Sequence, residues 1–233
     1  MKVLAGVLVT ALVLAWGSPM QAGVIVAEDF EGAAPGTPVN GYNGWTGPDN
    51  ILISSNVIDQ GQSADASGGA DPAWPKPSKA FAYTPAAGEY YVFTGTVYAP
   101  GTGGEYGHIQ LSNGAGTFAQ AMLGYNELIF ALNENGGELF QVRVAQSTDP
   151  MDVMLVLKSD RTDFYYRLNG TTAWNYAGGD TQAVALSAYT NVEFCGHGGY
   201  AGGVDSIVLE AVPEPVTLTL LAAGGWLASR RRK

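Results

Sequence analysis

His108 and His197 are the only imidazoles among 233 residues. Neither has a second histidine two to four positions away, so the paired spacing of a zinc centre is missing. The single cysteine, Cys195, cannot close an internal disulfide. It follows Val192 and Phe194 at the end of a strand-like run, which predicts a small buried thiol. A nucleophilic thiol would need a base beside it to depress its pKa; His197 is two residues away, a spacing that loops produce by accident. No Gly-x-Ser-x-Gly elbow and no Gly-x-x-x-x-Gly-Lys phosphate loop occurs. What remains is stacking, because the C–H face of a sugar packs on a flat ring with little desolvation. Trp45, Trp74 and Trp174 are the candidate glycan-binding residues, with Tyr42, Tyr165 and Tyr176 near two of them in sequence. Trp74, inside a proline-rich stretch, is the one best placed to be exposed.

The elements that must position these groups read as strands. Between Val24 and Ala211 no helical apolar period is sustained over ten residues. In Glu138 to Ala145, Phe140, Val142 and Val144 alternate with Gln141 and Arg143, the pattern of a strand buried on one face. The run TDFYYRL sets Phe164, Tyr166 and Leu168 against Asp163, Tyr165 and Arg167; Asn169-Gly170 then predicts a two-residue hairpin turn, with TTAWNY running back. Further strands are expected at 24–30, 50–58, 80–83, 90–98, 108–111, 120–125, 128–132, 151–158, 192–195 and 204–210. Gly61 to Ser78, with Pro72, Pro75 and Pro77, is expected to be an irregular loop over one sheet edge. With 32 glycines, 12 prolines and only 14% charged residues, the composition suits short strands and many turns: an antiparallel two-sheet sandwich of the all-β class.

Charge narrows the partners. The stretch from Glu28 to Glu210 holds twenty acids against six bases, a net charge of −14. Such a surface repels phosphate backbones, so no nucleic-acid partner is expected. Cations, neutral glycans and proteins stay open.

The two ends differ from the middle. Lys2, an apolar run from Val3 to Trp16, a Gly-Ser-Pro break and small residues near Ala22 form the layout of a secretory signal helix over 1–22, which implies the secretion machinery as a partner. At the other end Val216 to Ala228 are thirteen uncharged residues, bounded by Pro213 and Pro215 and by Arg230, Arg231, Arg232 and Lys233. An apolar helix flanked by such a basic cluster is expected to be transmembrane, with the cluster on the cytoplasmic side and the 23–211 body outside. Pro213-Glu214-Pro215, the apolar helix and the terminal arginines together resemble the PEP-CTERM sorting signal of exported bacterial proteins. The resemblance covers 212–233. It implies Pro213, Glu214 and Pro215 as the sorting motif read by an exosortase, a stay in the membrane before processing, and delivery to the cell envelope or extracellular polysaccharide matrix.

A second resemblance covers 24–211. The opening Asp29-Phe30-Glu31-Gly32, the later Asn43-Gly44-Trp45 and the closing Gly203-Val204-Asp205-Ser206-Ile207-Val208-Leu209 resemble exported domains of the concanavalin A-like or laminin G-like jelly roll. It implies that the first and last strands lie together, bringing Glu28 and Glu31 near Asp205 as candidate calcium ligands, calcium being the one cofactor expected. The resemblance also implies laminarinase-type glucanases as relatives, whose Glu-x-Asp-x-Glu strand aims two carboxylates into one cleft about 5 Å apart. No such triplet occurs: Glu28-Asp29-Phe30-Glu31 and Asp160-Arg161-Thr162-Asp163 lack the alternation. The expectation is therefore a structural, adhesive or glycan-binding protein and no enzyme, the alternative being a divergent polysaccharide-active enzyme of the same fold.

Overall fold

The computed structural model describes residues 22–49, 51–55, 62–65, 76–99, 106–124, 127–145, 149–181, 184–197 and 202–214. Residues 1–21 of the expected signal helix over 1–22, Trp74, Pro215, the apolar run 216–228 and Arg230 to Lys233 lie outside them. Among the described residues no helix is long and apolar enough to cross a membrane.

Fourteen strands occur there: β1 (Gly23–Glu28), β2 (Leu52–Ser55), β3 (Gln62–Asp65), β4 (Ser78–Ala80), β5 (Glu89–Tyr98), β6 (Tyr106–Ser112), β7 (Phe118–Gly124), β8 (Glu127–Glu134), β9 (Gly137–Ala145), β10 (Met151–Leu157), β11 (Thr162–Leu168), β12 (Asn175–Asp180), β13 (Asn191–His197) and β14 (Gly203–Pro213). They form two antiparallel sheets. One has eight strands, ordered β12-β11-β10-β5-β14-β3-β2 with β1 also on β14; the other has six, ordered β4-β13-β6-β7-β8-β9. This is the all-β sandwich expected.

Period-two alternation builds the core. On β10, Met151, Val153, Leu155 and Leu157 are buried while Asp152, Met154 and Val156 face outward. Tyr91, Phe93 and Val97 on β5 share one core with Ile109 and Leu111 on β6, and Phe130, Phe164 and Phe140 stack across the sheets with Phe140 and Phe164 nearly parallel. The pairing of the first strand with the last is observed: β1 lies antiparallel on β14, Glu28 opposite Ile207.

Three local expectations change. Gln62–Asp65, inside the stretch read as loop, is a strand that pairs with both β2 and β14. The Asn169-Gly170 turn is not a two-residue hairpin: only Gly170 has positive φ, where the mirror-image turn needs two such residues, and β12 begins at Asn175 opposite Tyr166. Thr171 to Trp174 are thereby released as a loop. Finally, β14 runs on through Pro213, opposite Glu89, and Glu214 N–H donates to Gly88 O at 2.6 Å. Sheet pairing therefore continues two residues past Ala211, as far as Pro213.

Candidate glycan-binding site

The outer face of the eight-stranded sheet carries a polar depression where β14, β5, β10 and β11 lie side by side. Alternation aims Thr94 and Thr96 from β5, Asp152 from β10 and Arg167 from β11 outward. On β14 the register slips between Asp205 and Val208, and Ser206, with φ 50°, is pushed out at this bulge. With Asn169, Gly170 and Trp174 from the β11–β12 loop, these side chains line a pocket of about 420 Å³.

Its polar groups are held in place. Asp152 Oδ2 accepts from Arg167 Nε at 2.8 Å, and Asp152 Oδ1 from Thr96 Oγ1 at 2.9 Å. The guanidinium carbon of Arg167 sits 4.4 Å from the Trp174 ring centroid, so the indole is backed by a cation and kept in one orientation. Arg167 is thus pinned at both ends of its charge, by a carboxylate and by a π face. Two residues back along β11, Tyr165 packs on Tyr176 with ring centroids 5.4 Å apart, and Tyr176 is 56% exposed. Burial and the nearby Asp163 charge raise the Tyr165 pKa, so its hydroxyl stays neutral at ordinary pH.

Of the tryptophans proposed from sequence, Trp174 lines this pocket. Trp45 does not reach any outer face: it is fully buried, 4.9 Å from the Phe194 ring, with its Nε1–H donated to Glu28 at 3.1 Å. No face of its ring is open to a sugar.

The calcium set does not assemble. Glu28 points between the sheets, where its carboxylate accepts from Trp45, from Asn43 and from Phe30 N–H and pairs with Lys79 Nζ at 3.5 Å. Asp205, one residue after the core Val204, belongs to the opposite, outer face of the same sheet, opposite Thr96, and Glu31 is exposed. Two faces of one sheet cannot share an ion. Among the described residues no three His, Cys, Asp or Glu side chains gather closely enough to hold a metal ion.

Cys195 is buried as expected, yet its partner is not the neighbour in sequence. His108, directly opposite across β6, places Nδ1 2.9 Å from Cys195 Sγ. Burial pushes the thiol up to about 12 and the imidazole down to about 3, so both are neutral and the thiol is no nucleophile. Thr94, Thr96, Asp152 and Arg167 had no signal in the sequence beyond the alternation of their strands.

No protein-family model matches the chain, and no curated protein matches it either. Solved structures do. A point mutant of the GH43 protein BlXynB from Bacillus licheniformis superposes with a TM-score of 0.55 at 15% identity, over 80% of this chain and 39% of that one. Lectin II from Ulex europaeus gives 0.51 at 8% identity, over 84% of this chain and 100% of its own. A xylan β-1,4-xylosidase from Bacillus halodurans C-125 gives 0.52 at 9%, over 78% and 38%. The chain therefore spans about two fifths of the GH43 protein. At these identities the likeness is one of fold, and what is shared with lectin and xylosidase alike is the two-sheet, concanavalin A-like sandwich.

Proposed function

We propose that the sandwich binds a neutral polysaccharide chain at the Trp174 pocket, and that the chain is exported by its signal segment and sorted to the cell envelope or extracellular matrix. The observation that carries the binding reading is the Arg167–Trp174 stack over a floor of hydroxyls and one fixed carboxylate. A flat ring takes the C–H face of a sugar, while Asp152, Thr94, Thr96 and Ser206 offer acceptors and donors for its hydroxyls. The Tyr165–Tyr176 pair lies about 7 Å along the strand from Arg167, close to one sugar unit onward, which favours a chain over a single sugar. The net charge of −14 over 28–210 disfavours an anionic polymer.

Binding is preferred to hydrolysis because retaining cleavage needs a second carboxylate about 5 Å from the first. Among the described residues that line the pocket Asp152 is the one acid, and its oxygens accept from Arg167 and Thr96. The neighbouring sandwiches in a lectin and in GH43 proteins agree with either reading.

For sorting, the support is the order of Pro213, Glu214, Pro215, an apolar run and Arg230 to Lys233 in the sequence, which suits an exosortase as partner. Mass spectrometry of the mature protein recovered outside the cell tests it: a C-terminus near 213–215 is expected, and an intact Lys233 would remove the proposal.

The binding test is a glycan array followed by calorimetry. Trp174→Ala is expected to weaken binding of a neutral glycan by about tenfold or more, equivalent to about 1.4 kcal/mol, with Tyr176→Ala weakening long oligosaccharides more than short ones. Unchanged affinity in Trp174→Ala would refute the site. Turnover of a polysaccharide, lost on changing a single acid, would put the enzyme reading in its place.

A further inference from the structure

Asparagine loses its side-chain amide most readily when glycine follows it, because glycine has no Cβ to keep its backbone nitrogen away from the preceding Cγ. Five such pairs occur here, at Asn40, Asn43, Asn113, Asn135 and Asn169. Four are locked. Asn40 donates Nδ2 to Asp49 at 2.7 Å and accepts from Gly47 N–H at 3.2 Å, while Gly41 N–H donates to Trp45 O at 2.8 Å. Asn43 Nδ2 donates to Glu28 at 3.3 Å. Asn113 Oδ1 accepts from Ala115 and Thr117 N–H at 2.8 and 3.1 Å, and Gly114 N–H donates to Ser112 Oγ at 3.2 Å. At Asn135 the glycine nitrogen is the engaged group: Gly136 N–H donates to Gly116 O at 2.9 Å. Asn169 differs from all of these, since neither its side chain nor the Gly170 N–H makes a hydrogen bond among the described residues.

We propose that Asn169 is a site of spontaneous deamidation and isoaspartate formation, with water as the only co-reactant. The Gly170 nitrogen gives up its proton to hydroxide and bonds to Asn169 Cγ. The Cγ–Nδ2 bond then breaks, and the amide group takes a proton from water and leaves as ammonia. Water opens the resulting five-membered ring. Attack at Cγ leaves aspartate; attack at the main-chain carbonyl carbon leaves isoaspartate, in which the backbone runs through the former side chain. Nothing is oxidised or reduced.

The turn permits the first step. Thr171 N–H and Oγ1 both donate to Leu168 O, at 3.1 and 2.7 Å, and Asn169 N–H donates to Pro150 O at 3.0 Å. These bonds bracket the Asn169–Gly170 peptide group without using its nitrogen. A positive φ of 76° at Gly170, with none at Asn169, makes this a type II turn. Flipping that one peptide plane converts type II to type I with the Leu168–Thr171 closure kept, so the nitrogen swings toward Cγ while the strands stay paired. Gly170 is exposed and Asn169 half-buried, which gives water and hydroxide access. The product acts on the pocket, because both residues line it beside Asp152, Arg167 and Trp174. An isoaspartyl link adds a methylene to the main chain of the turn from which Thr171 to Trp174 follow. The new carboxylate also places a second negative charge near Arg167, whose partners are Asp152 and the Trp174 ring. A glycan held there is then held more weakly; this consequence, unlike the modification itself, rests on the binding reading proposed above.

In the test, the full chain is kept folded at mildly alkaline pH and sampled over time by peptide mass spectrometry, with an isoaspartate-specific methyltransferase as a second readout. A gain of one mass unit and methyl acceptance at Asn169 are expected about tenfold faster than at the other four pairs, each of which must first break at least one hydrogen bond. In urea, where those bonds are gone, the five rates should converge to within about threefold. Asn169→Gln, which would have to close a six-membered ring, should lose the signal. No reaction at Asn169 in the folded protein, or a rate no higher than at Asn40, Asn43, Asn113 and Asn135, would overturn the site. Calorimetry of aged against fresh protein with a neutral glycan reads the consequence. Binding about tenfold weaker is expected for modified chains, and equal affinity would overturn the link to the pocket. Fresh protein with no glycan affinity, whose Asn169 reacts as stated, would overturn the binding reading alone and leave the modification site standing.

Discussion

Glu28→Ala is expected to destabilise the fold by about 3–5 kcal/mol, the range for breaking a buried charge pair from one side. For a body of this size that corresponds to a fall in Tm of roughly 10 °C or more. The reason is the number of elements that one carboxylate ties together. Glu28 ends β1 and is 4% exposed. It accepts from Phe30 N–H at 3.2 Å, which helps hold Phe30 at φ 57°, a conformation that a bulky residue rarely adopts. It accepts from Asn43 at 3.3 Å and from Trp45 Nε1 at 3.1 Å, anchoring the turn Tyr42–Gly44 and the tryptophan that packs on Phe30 and Phe194. Lys79 reaches it at 3.5 Å from β4, in the other sheet, and lies 5.7 Å from the Trp45 ring. Alanine would strand the Trp45 N–H in the core and leave Lys79 without its carboxylate. Lys79→Met should cost less than half as much, since Lys79 is 21% exposed by side chain and three donors would still face Glu28. Urea melts of the three proteins decide it: a loss below about 1 kcal/mol in Glu28→Ala would mean that the cluster is ornamental.

How far such a cluster can be read beforehand depends on the range over which its cause acts. Alternation is local, so Met151–Leu157 and Thr162–Leu168 announce themselves within seven residues each. Gln62–Asp65, with the sequence QSAD, has no apolar face of its own; it is a strand because β2 and β14 offer it hydrogen-bonding partners. Trp45 looked free to stack on a ligand because nothing within a few residues occupies it, while its acceptor stands 17 residues earlier. Cys195 and His108 are 87 positions apart, and only the order β13-β6 makes them neighbours. The pocket has the same origin. Trp174 is an aromatic that draws notice alone, but Thr96 and Asp152 are unremarkable until β10 and β5 are laid side by side, 56 residues apart in sequence. The calcium set failed for a related reason: pairing of the first and last strands was foreseen correctly, yet adjacency within a sheet does not say which face each carboxylate takes.

Gly107→Ala is expected to be the most damaging substitution by a single methyl group. By alternation with Ile109 and Leu111, Gly107 on β6 faces the other sheet, and there it meets backbone instead of side chains. A Cβ at Gly107 would lie 2.5 Å from Tyr98 O, 2.7 Å from Gly203 O and 2.8 Å from Tyr98 N. Tyr98 and Gly203 are themselves a cross-strand pair of β5 and β14, so neither can turn aside without breaking the ladder between two strands that both line the pocket. A flexible side chain would yield; hydrogen-bonded backbone must move as a unit. Overpacking commonly costs 1–3 kcal/mol, and here a loss of about 3 kcal/mol or more is expected because the obstructing atoms are main chain. Thr96 lies two residues from Tyr98, so the glycan affinity of whatever fraction folds should also fall. Gly137→Ala is the control: its Cβ would meet only Glu134 O at an ordinary 3.5 Å, and its effect should stay within about 0.5 kcal/mol. Equal melting temperatures for Gly107→Ala and the unaltered protein would show that the two sheets do not approach backbone to backbone at this point.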